Sequence, residues 1–442
     1  HPERYRIILG ARSSIFLPYR NLGLVLVDEE HESSFKQYDP SPRYNARDCA
    51  IVLAKIHSSK VLLGSATPSV ESYHHAQTGK YGLVSLDERF KGIQMPEICC
   101  ADIKKERRQK TMNSHFSSFL MENMEHTLKN EQQIILFQNR RGYTPLWSCE
   151  ICNWSPKCKN CDVSLTYHKQ SNLLKCHYCG YTSAPIGTCN HCGSNRLKML
   201  GFGTEKIEDE LALMYPDKKI ARMDLDSTRS KNAYQELITK FENKHIDILI
   251  GTQMLSKGLD FDHVGLVGIL DADMLLNRPD FRAFERSFQL MTQVAGRAGR
   301  KYKRGKVVIQ TGEPEHWIIQ KVIEHNYTSF YENEIVERRN YFYPPFYKII
   351  LITLKHRDLN ILNQGSHELA LSLKEIFKER VLGPEFPIVQ RIKNLFLKQI
   401  MLKIEADVSH IKVKERLQDQ LDLFYSTPSN KSIRTVIDVD PA

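Results

Sequence analysis

No Gly-Lys pair in this 442-residue chain is followed by Ser or Thr: Gly79-Lys80 runs into Tyr81, and Gly305-Lys306 into Val307. That excludes, within these residues, the glycine-rich loop whose amides and lysine grip the outer phosphates of a nucleotide. No run of 18 apolar residues occurs either, so no membrane-spanning helix is expected. The opening HPERYRIILG lacks the apolar stretch of a secretion signal, and its first residue is not Met, as expected of a fragment or a processed product. No internal repeat is evident. A disulfide framework is absent in pattern though not in count. Of eleven cysteines, eight form four C-x-x-C pairs between Cys149 and Cys192, and only Cys49, Cys99 and Cys100 are scattered. Paired spacing belongs to metal sites, and it implies a reducing compartment.

What is present is an ordinary globular balance, 41% apolar and 26% charged residues, with length for two or three domains. A net charge of +10 suits an acidic partner such as nucleic acid, and suits simple solubility equally well. LGLVLVD (22–28) is an aliphatic run fit for a strand buried on both faces. ARDCAIVLAKIH (46–57) has helical spacing, and KVLLGSAT (60–67) is a second strand. Together they make a βαβ unit and hence a parallel sheet. Charges such as KKERRQK then mark a linker from about 87 to 111. A helix over 116–128 and a strand over 132–138 open a second α/β lobe. It resumes after the cysteines with a helix presenting Ile207, Leu211 and Met214, followed by strands at 247–251, 264–270 and 306–311. After Tyr343-Pro344-Pro345 two strands flank an amphipathic helix (365–378), a compact α+β unit.

Each C-x-x-C is a knuckle that brings two thiolates to one tetrahedral metal at ~2.3 Å. Four pairs imply two zinc ions. The 14 residues between the inner pairs are a hairpin-sized ribbon, which favours Cys158, Cys161, Cys176 and Cys179 as one site and Cys149, Cys152, Cys189 and Cys192 as the other. Tandem pairing is the alternative. Sites made wholly of cysteine leave no open position, so their role is structural.

Asp28 and Glu29 end the first strand, where parallel sheets place ligands. An Asp there can hold magnesium through water, and the neighbouring Glu can deprotonate an attacking water. Ser65 and Thr67 follow the adjacent strand. In FRAFERSFQLMTQ, Phe281, Phe284, Phe288 and Met291 line a packing face. Gln293, Arg297 and Arg300, spaced i, i+4 and i+7, share another if the turn continues. Two arginines reaching towards phosphates on another lobe are the arginine-finger arrangement.

In order, VDEEH, GSATPS, FQNRRGY, the four C-x-x-C pairs, GTQMLSKG, TQVAGRAGR and the terminal DVDP resemble the primosomal protein N′ (PriA) family, superfamily 2 DNA helicases of replication restart. The resemblance covers essentially the whole chain, and an eight-cysteine insertion in the second lobe is peculiar to that family. It implies two RecA-like helicase lobes, the first incomplete (1–112 with its linker) and the second over 113–148 and 198–340. A two-zinc module over 149–197 and a C-terminal α+β domain over 341–442 complete the fold. It also implies nested zinc pairing and a phosphate loop N-terminal to DEEH, outside these residues, so this chain alone is expected not to hydrolyse ATP.

By the same resemblance Asp28 and Glu29 are the magnesium and water-activating pair. Ser65, Ala66 and Thr67 couple hydrolysis to lobe movement, Gly258 and Asp260 lie on the nucleotide side, and Gln293, Arg297 and Arg300 complete the catalytic set. The aromatic-rich loop 31–48 would contact single strands through Phe35, Lys36, Tyr38, Arg43 and Tyr44. Asn139, Arg140, Arg141, Thr252 and Gln253 would hold DNA phosphates. The intact enzyme is expected to use ATP with Mg2+ and to move 3′ to 5′. Its expected partners are forked and single-stranded DNA, single-stranded-DNA-binding protein and primosome proteins including the replicative helicase loader, in the bacterial cytoplasm at the nucleoid. One departure is the sparse basic residues of the C-terminal domain (Arg391, Lys393, Lys398, Lys403). Two rival readings are a zinc-stabilised DNA- or protein-binding scaffold and a different superfamily 2 translocase, such as a RecQ-like helicase with one zinc.

Overall fold

The computed structural model describes all residues except 1–4, 87, 89–91, 139–145, 150, 153, 169–171, 177, 201–203, 225–226, 229–230, 257–260, 279, 300–303 and 442. It divides into two compact units, residues 1–83 with 333–442, and residues 84–332.

The first unit opens with the expected βαβ element. β1 (Leu24–Asp28) and β2 (Lys60–Gly64) are parallel, with Asp28 opposite Gly64. α1 (Ala46–Ile56) joins them, capped by the Asn45 side chain, which accepts from the Arg47 amide, and α2 (Val70–Gln77) follows. The expectation of burial on both faces fails here. Leu24, Leu26 and Leu62 are 56%, 62% and 51% exposed, because two strands and one connecting helix cover too little of the sheet.

The second unit begins where the sequence reads as linker. Residues Glu97–Asp102 are β3 and Ile103–Gln109 are α3. The charges lie on the short helix, while Ile98 and Ala101 of the strand are buried, so β3 pairs in parallel with a sheet formed far downstream. The helix α4 (Ser118–Lys129) and β4 (Gln133–Phe137) follow as expected. Then comes the cysteine-rich insertion, with β5 (Leu146–Cys149), β6 (Thr166–His168), β7 (Leu173–Lys175), β8 (Thr182–Ser183) and β9 (Leu197–Leu200). These form an antiparallel sheet in the order β8-β7-β6-β5-β9.

The lobe resumes with α5 (Thr204–Met214), β10 (Ile220–Met223), α6 (Lys231–Glu242), β11 (Ile248–Gly251) and β12 (Val264–Ile269). α7 (Asp273–Leu276), α8 (Ala283–Ala295), β13 (Lys306–Thr311) and α9 (Trp317–Ile323) complete it. The parallel order is β10-β11-β4-β12-β13-β3. Every residue of β4 and β11 is buried, the pattern of a sheet covered on both faces. Phe116, Leu120 and Met124, with Ile207 and Leu211 of α5, pack on one of them.

α10 (Tyr327–Asn340) leads into the C-terminal sheet of the first unit. Its strands β14 (Tyr347–His356), β15 (Val381–Glu385), β16 (Arg391–Ile392), β17 (Leu395–Glu405) and β18 (Arg434–Val439) pair antiparallel. α11 (Leu359–Phe377) and α12 (His410–Ser426) cover one face. Ile350 and Ile352 of β14 lie opposite Leu402 and Ile400 of β17, and with Leu354 and Ile404 they pack against Leu369, Leu373, Leu417 and Leu421 of the helices. No helix among the described residues is long and apolar enough to cross a membrane.

Candidate functional site

At the tip of β1 the chain turns sharply. Glu29 has φ +49°, unusual for a residue with a side chain, and its amide donates to Asp28 Oδ1 at 3.0 Å. Asp28 stays exposed, while the next acid is drawn inward. Glu30 is 3% exposed and accepts from the Ser69 amide (2.6 Å), Ser69 Oγ (3.1 Å), Ser72 Oγ (2.8 Å) and Arg47 Nη1 (3.0 Å). Four donors offset the cost of burying a carboxylate, and the Ser69 amide lies at the N-terminus of α2, which favours negative charge. Sequence reasoning passed over Glu30 because nothing in D-E-E-H distinguishes the acid that anchors from those that react.

The neighbouring motif meets this turn directly. His31 Nδ1 lies 2.7 Å from Ser65 Oγ and 3.6 Å from Glu29 Oε2, and Ser65 Oγ in turn accepts from the Thr67 amide at 3.0 Å. Glu29, His31, Ser65 and Thr67 therefore form one connected group, with Asp28 at its exposed edge.

The loop that follows behaves differently from expectation at one residue. Tyr38 is 52% exposed, and Tyr44 meets Phe16 edge-on at 4.7 Å between ring centroids. Phe35 and Arg43 are half-buried. Lys36, however, is buried and engaged by Asp438, 2.9 Å away, and so is not available to a DNA phosphate in this structure. Its partner lies at the other end of the chain, where no local pattern could signal it.

In the second unit α8 ends at Ala295, and a turn continues through the Arg297 amide, which donates to Val294 O at 3.1 Å. Gln293 is half-buried and Arg297 is 8% exposed. Thr252 and Gln253 follow β11, where a short 3-10 turn, Gln253–Ser256, begins. Asn139, Arg140, Arg141, Gly258, Asp260 and Arg300 lie outside the described residues.

The cysteines group as nested sites. Cys149, Cys152, Cys189 and Cys192 form one cluster and Cys158, Cys161, Cys176 and Cys179 the other, with the sulfurs of each within 4.8 Å of one another. Three cross-pair separations, Cys149–Cys192, Cys152–Cys189 and Cys158–Cys179, are 3.5, 3.6 and 3.5 Å. Those are close to the edge of a tetrahedron with bonds of ~2.3 Å, so the donor sets fit zinc. All four knuckles share one backbone device. The amides of Cys149, Cys158, Cys176 and Cys189 donate to the carbonyls of Trp154, Val163, Tyr181 and Ser194, each five residues on. In the third and fourth, Gly180 (φ +78°) and Gly193 (φ +71°) close the turn by donating to the carbonyls of Cys176 and Cys189. A Cβ at either position would strain that backbone.

A helicase-like α/β fold carrying an inserted ribbon with two four-cysteine sites defines the class. Residues 195–302 match the helicase conserved C-terminal domain, and residues 158–183 match the PriA DNA helicase Cys-rich region. The chain belongs to the PriA family. It is 41% identical over 443 residues to the replication restart protein PriA of Bacillus subtilis (strain 168), covering 100% of this chain and 54% of that protein. It is 39% identical to PriA of Synechocystis sp. (99% and 53%) and 38% identical to PriA of Chlamydia pneumoniae (99% and 58%). The chain thus spans little more than half the length of these relatives.

Proposed function

We propose that this chain is the portion of an ATP-dependent, 3′-to-5′ DNA helicase that carries the acid pair, the finger arginines and the zinc module. The intact protein would act at stalled or forked replication DNA and start primosome assembly. The observation that carries the reading is the His31–Ser65 contact beside Asp28 and Glu29, which physically joins the two nucleotide-side motifs.

Asp28 would hold the Mg2+ of ATP through water, and Glu29 would orient and deprotonate the attacking water. When bound, the metal would neutralise charge on the phosphates. His31, between Glu29 and Ser65, would report a change at the carboxylate to Ser65 and Thr67, and so to lobe movement. Gly258 and Asp260 would border the nucleotide, while Gln293, Arg297 and Arg300 would stabilise charge on the transferred phosphoryl group. Phe35, Tyr38, Arg43 and Tyr44 would contact single-stranded DNA, and Asn139, Arg140, Arg141, Thr252 and Gln253 its phosphates.

The two four-cysteine sites would each bind a structural Zn2+ and present a surface to single-stranded-DNA-binding protein, the helicase loader and other primosome proteins. The setting is the bacterial cytoplasm, at the nucleoid. With no Gly-Lys-Ser/Thr sequence among its residues, the chain alone lacks a grip on the outer phosphates.

The test has two arms. In the full-length protein, Glu29→Gln should abolish DNA-stimulated ATP hydrolysis while ATP still binds; unchanged turnover would leave only a zinc-stapled binding scaffold. The purified 442-residue chain should show no DNA-stimulated ATPase, and activity there would defeat the account of its phosphate grip. Two zinc ions per chain are expected by elemental analysis, against one for a RecQ-like enzyme.

A further inference from the structure

The DVDP segment at the far end of the chain has no place in the chemistry above, yet it is bound to the loop that leaves the acid pair. Lys36 Nζ lies 2.9 Å from Asp438 Oδ1 and donates to Val439 O at 2.5 Å, with side-chain exposures of 3% for Lys36 and 12% for Asp438. A buried ammonium is tolerated only when its charge and its protons are met, so Lys36 depends on that strand.

Lys36 is also the root of the loop. It forms an antiparallel bridge with Asn45, the Gln37 amide donates to Tyr44 O at 2.9 Å, and the Gln37 side chain spans the tip to Pro40 O and Pro42 O. Arg12 holds the same root from another side by donating to Ser34 O and Lys36 O. From Asn45, the cap of α1, the path continues through Arg47 to Glu30, and Glu30 is the covalent neighbour of Glu29.

We infer that Asp438 is a positioning residue. By fixing Lys36 it holds the 36–45 loop in one conformation, and through Asn45, Arg47 and Glu30 it steadies the turn that carries Asp28 and Glu29. Lys36 is then a lock and makes no phosphate contact. The DNA arm of the test rests on the loop reading proposed above; the exchange arm does not.

Asp438→Asn, Lys36→Met and the charge swap Lys36→Asp with Asp438→Lys are made in this chain and followed by amide hydrogen exchange. The two single variants should speed exchange at Gln37 by about tenfold or more, with Ile352 and Ile400 in the C-terminal sheet unchanged. Unchanged exchange at Gln37 overturns the inference. If one single variant fails to fold, Gln37 exchange in the other decides: unchanged exchange there overturns the inference, and a swap that regains Gln37 protection supports it.

Binding of oligo-dT across a salt series gives an independent sign. Removing an acid tightens DNA binding if charge alone matters, whereas loss of positioning weakens it, by about threefold or more, at unchanged salt slope. A direct phosphate contact at Lys36 would instead lower the slope by ~0.7 in Lys36→Met, and that result overturns the lock. If the unaltered chain binds no oligo-dT at all, the DNA reading of the loop fails while Gln37 exchange still decides the positioning role.

Discussion

Two parallel sheets in this molecule are written in nearly the same residues and lie in opposite surroundings. β1 reads LVLVD and β4 reads QIILF, each an aliphatic run. Every residue of β4 is buried, whereas Leu24 and Leu26 of β1 are more than half exposed. An aliphatic run therefore states what a strand can tolerate on both faces, and the number of neighbours decides whether it receives it. β4 sits fourth from one edge of six strands, while β1 has one partner among the described residues. The cysteine-rich sheet is a third case. Among the described residues it buries, apart from its cysteines, Pro156, Leu165, Thr166 and Leu174, and its two cysteine clusters supply the staples that a module of this size uses.

The comparison is open to experiment, from large effects to small. Cys161→Ser should remove one metal per chain and unfold the ribbon, since a structural zinc contributes about 10–16 kcal/mol to a module of this kind. Elemental analysis and hydrogen exchange should find the ribbon lost while β4 and β12 keep their protection. Leu136→Ala, in the middle of β4, should cost about 2–5 kcal/mol in denaturant melts of the second unit.

Acid should act on both units alike. His115 in the second is pushed down to about 4 by burial first, then by Lys206 and Arg107; His75 in the first is pushed down to about 4 by burial and then chiefly Lys80. The unfolded chain takes up those protons near 6.5 and the folded one does not. Stability is therefore complete above pH 6.5 and falls as pH drops towards 4. His115→Gln should flatten that slope for the second unit only, as read by melting temperature against pH. Leu26→Ala, the same substitution as in β4 but on the open face of β1, should change stability by no more than about 0.5 kcal/mol. A loss there comparable to that at Leu136 would mean the face is covered in solution, and the contrast between the sheets would collapse.

How much of this is legible in the sequence follows from how local each cause is. The cysteine knuckles and the βαβ unit are set by spacing within a few dozen residues, and both stand where they were expected. Residues 97–109 are not legible in that way. Their charges belong to α3, and β3 is a strand only because β13, some two hundred residues later, accepts it as a neighbour. Glu30 and Lys36 look like two more charges in a polar loop. Their burial is fixed by Ser69, Arg47 and Asp438, whose identity no periodicity reveals. Aliphatic patterning likewise located β1 and could not say that its leucines would meet solvent.

The nesting of the cysteine clusters carries an order of events. The inner cluster joins Cys158 to Cys179 across a separation of 21 residues, and the outer joins Cys152 to Cys189 across 37. Closing the longer loop first carries the larger entropy loss, whereas closing the shorter one first takes its residues out of the longer loop and leaves only two flanks to gather. Ribbon assembly should therefore run from the inside outward, with the hairpin tip gaining its metal before the base is sealed.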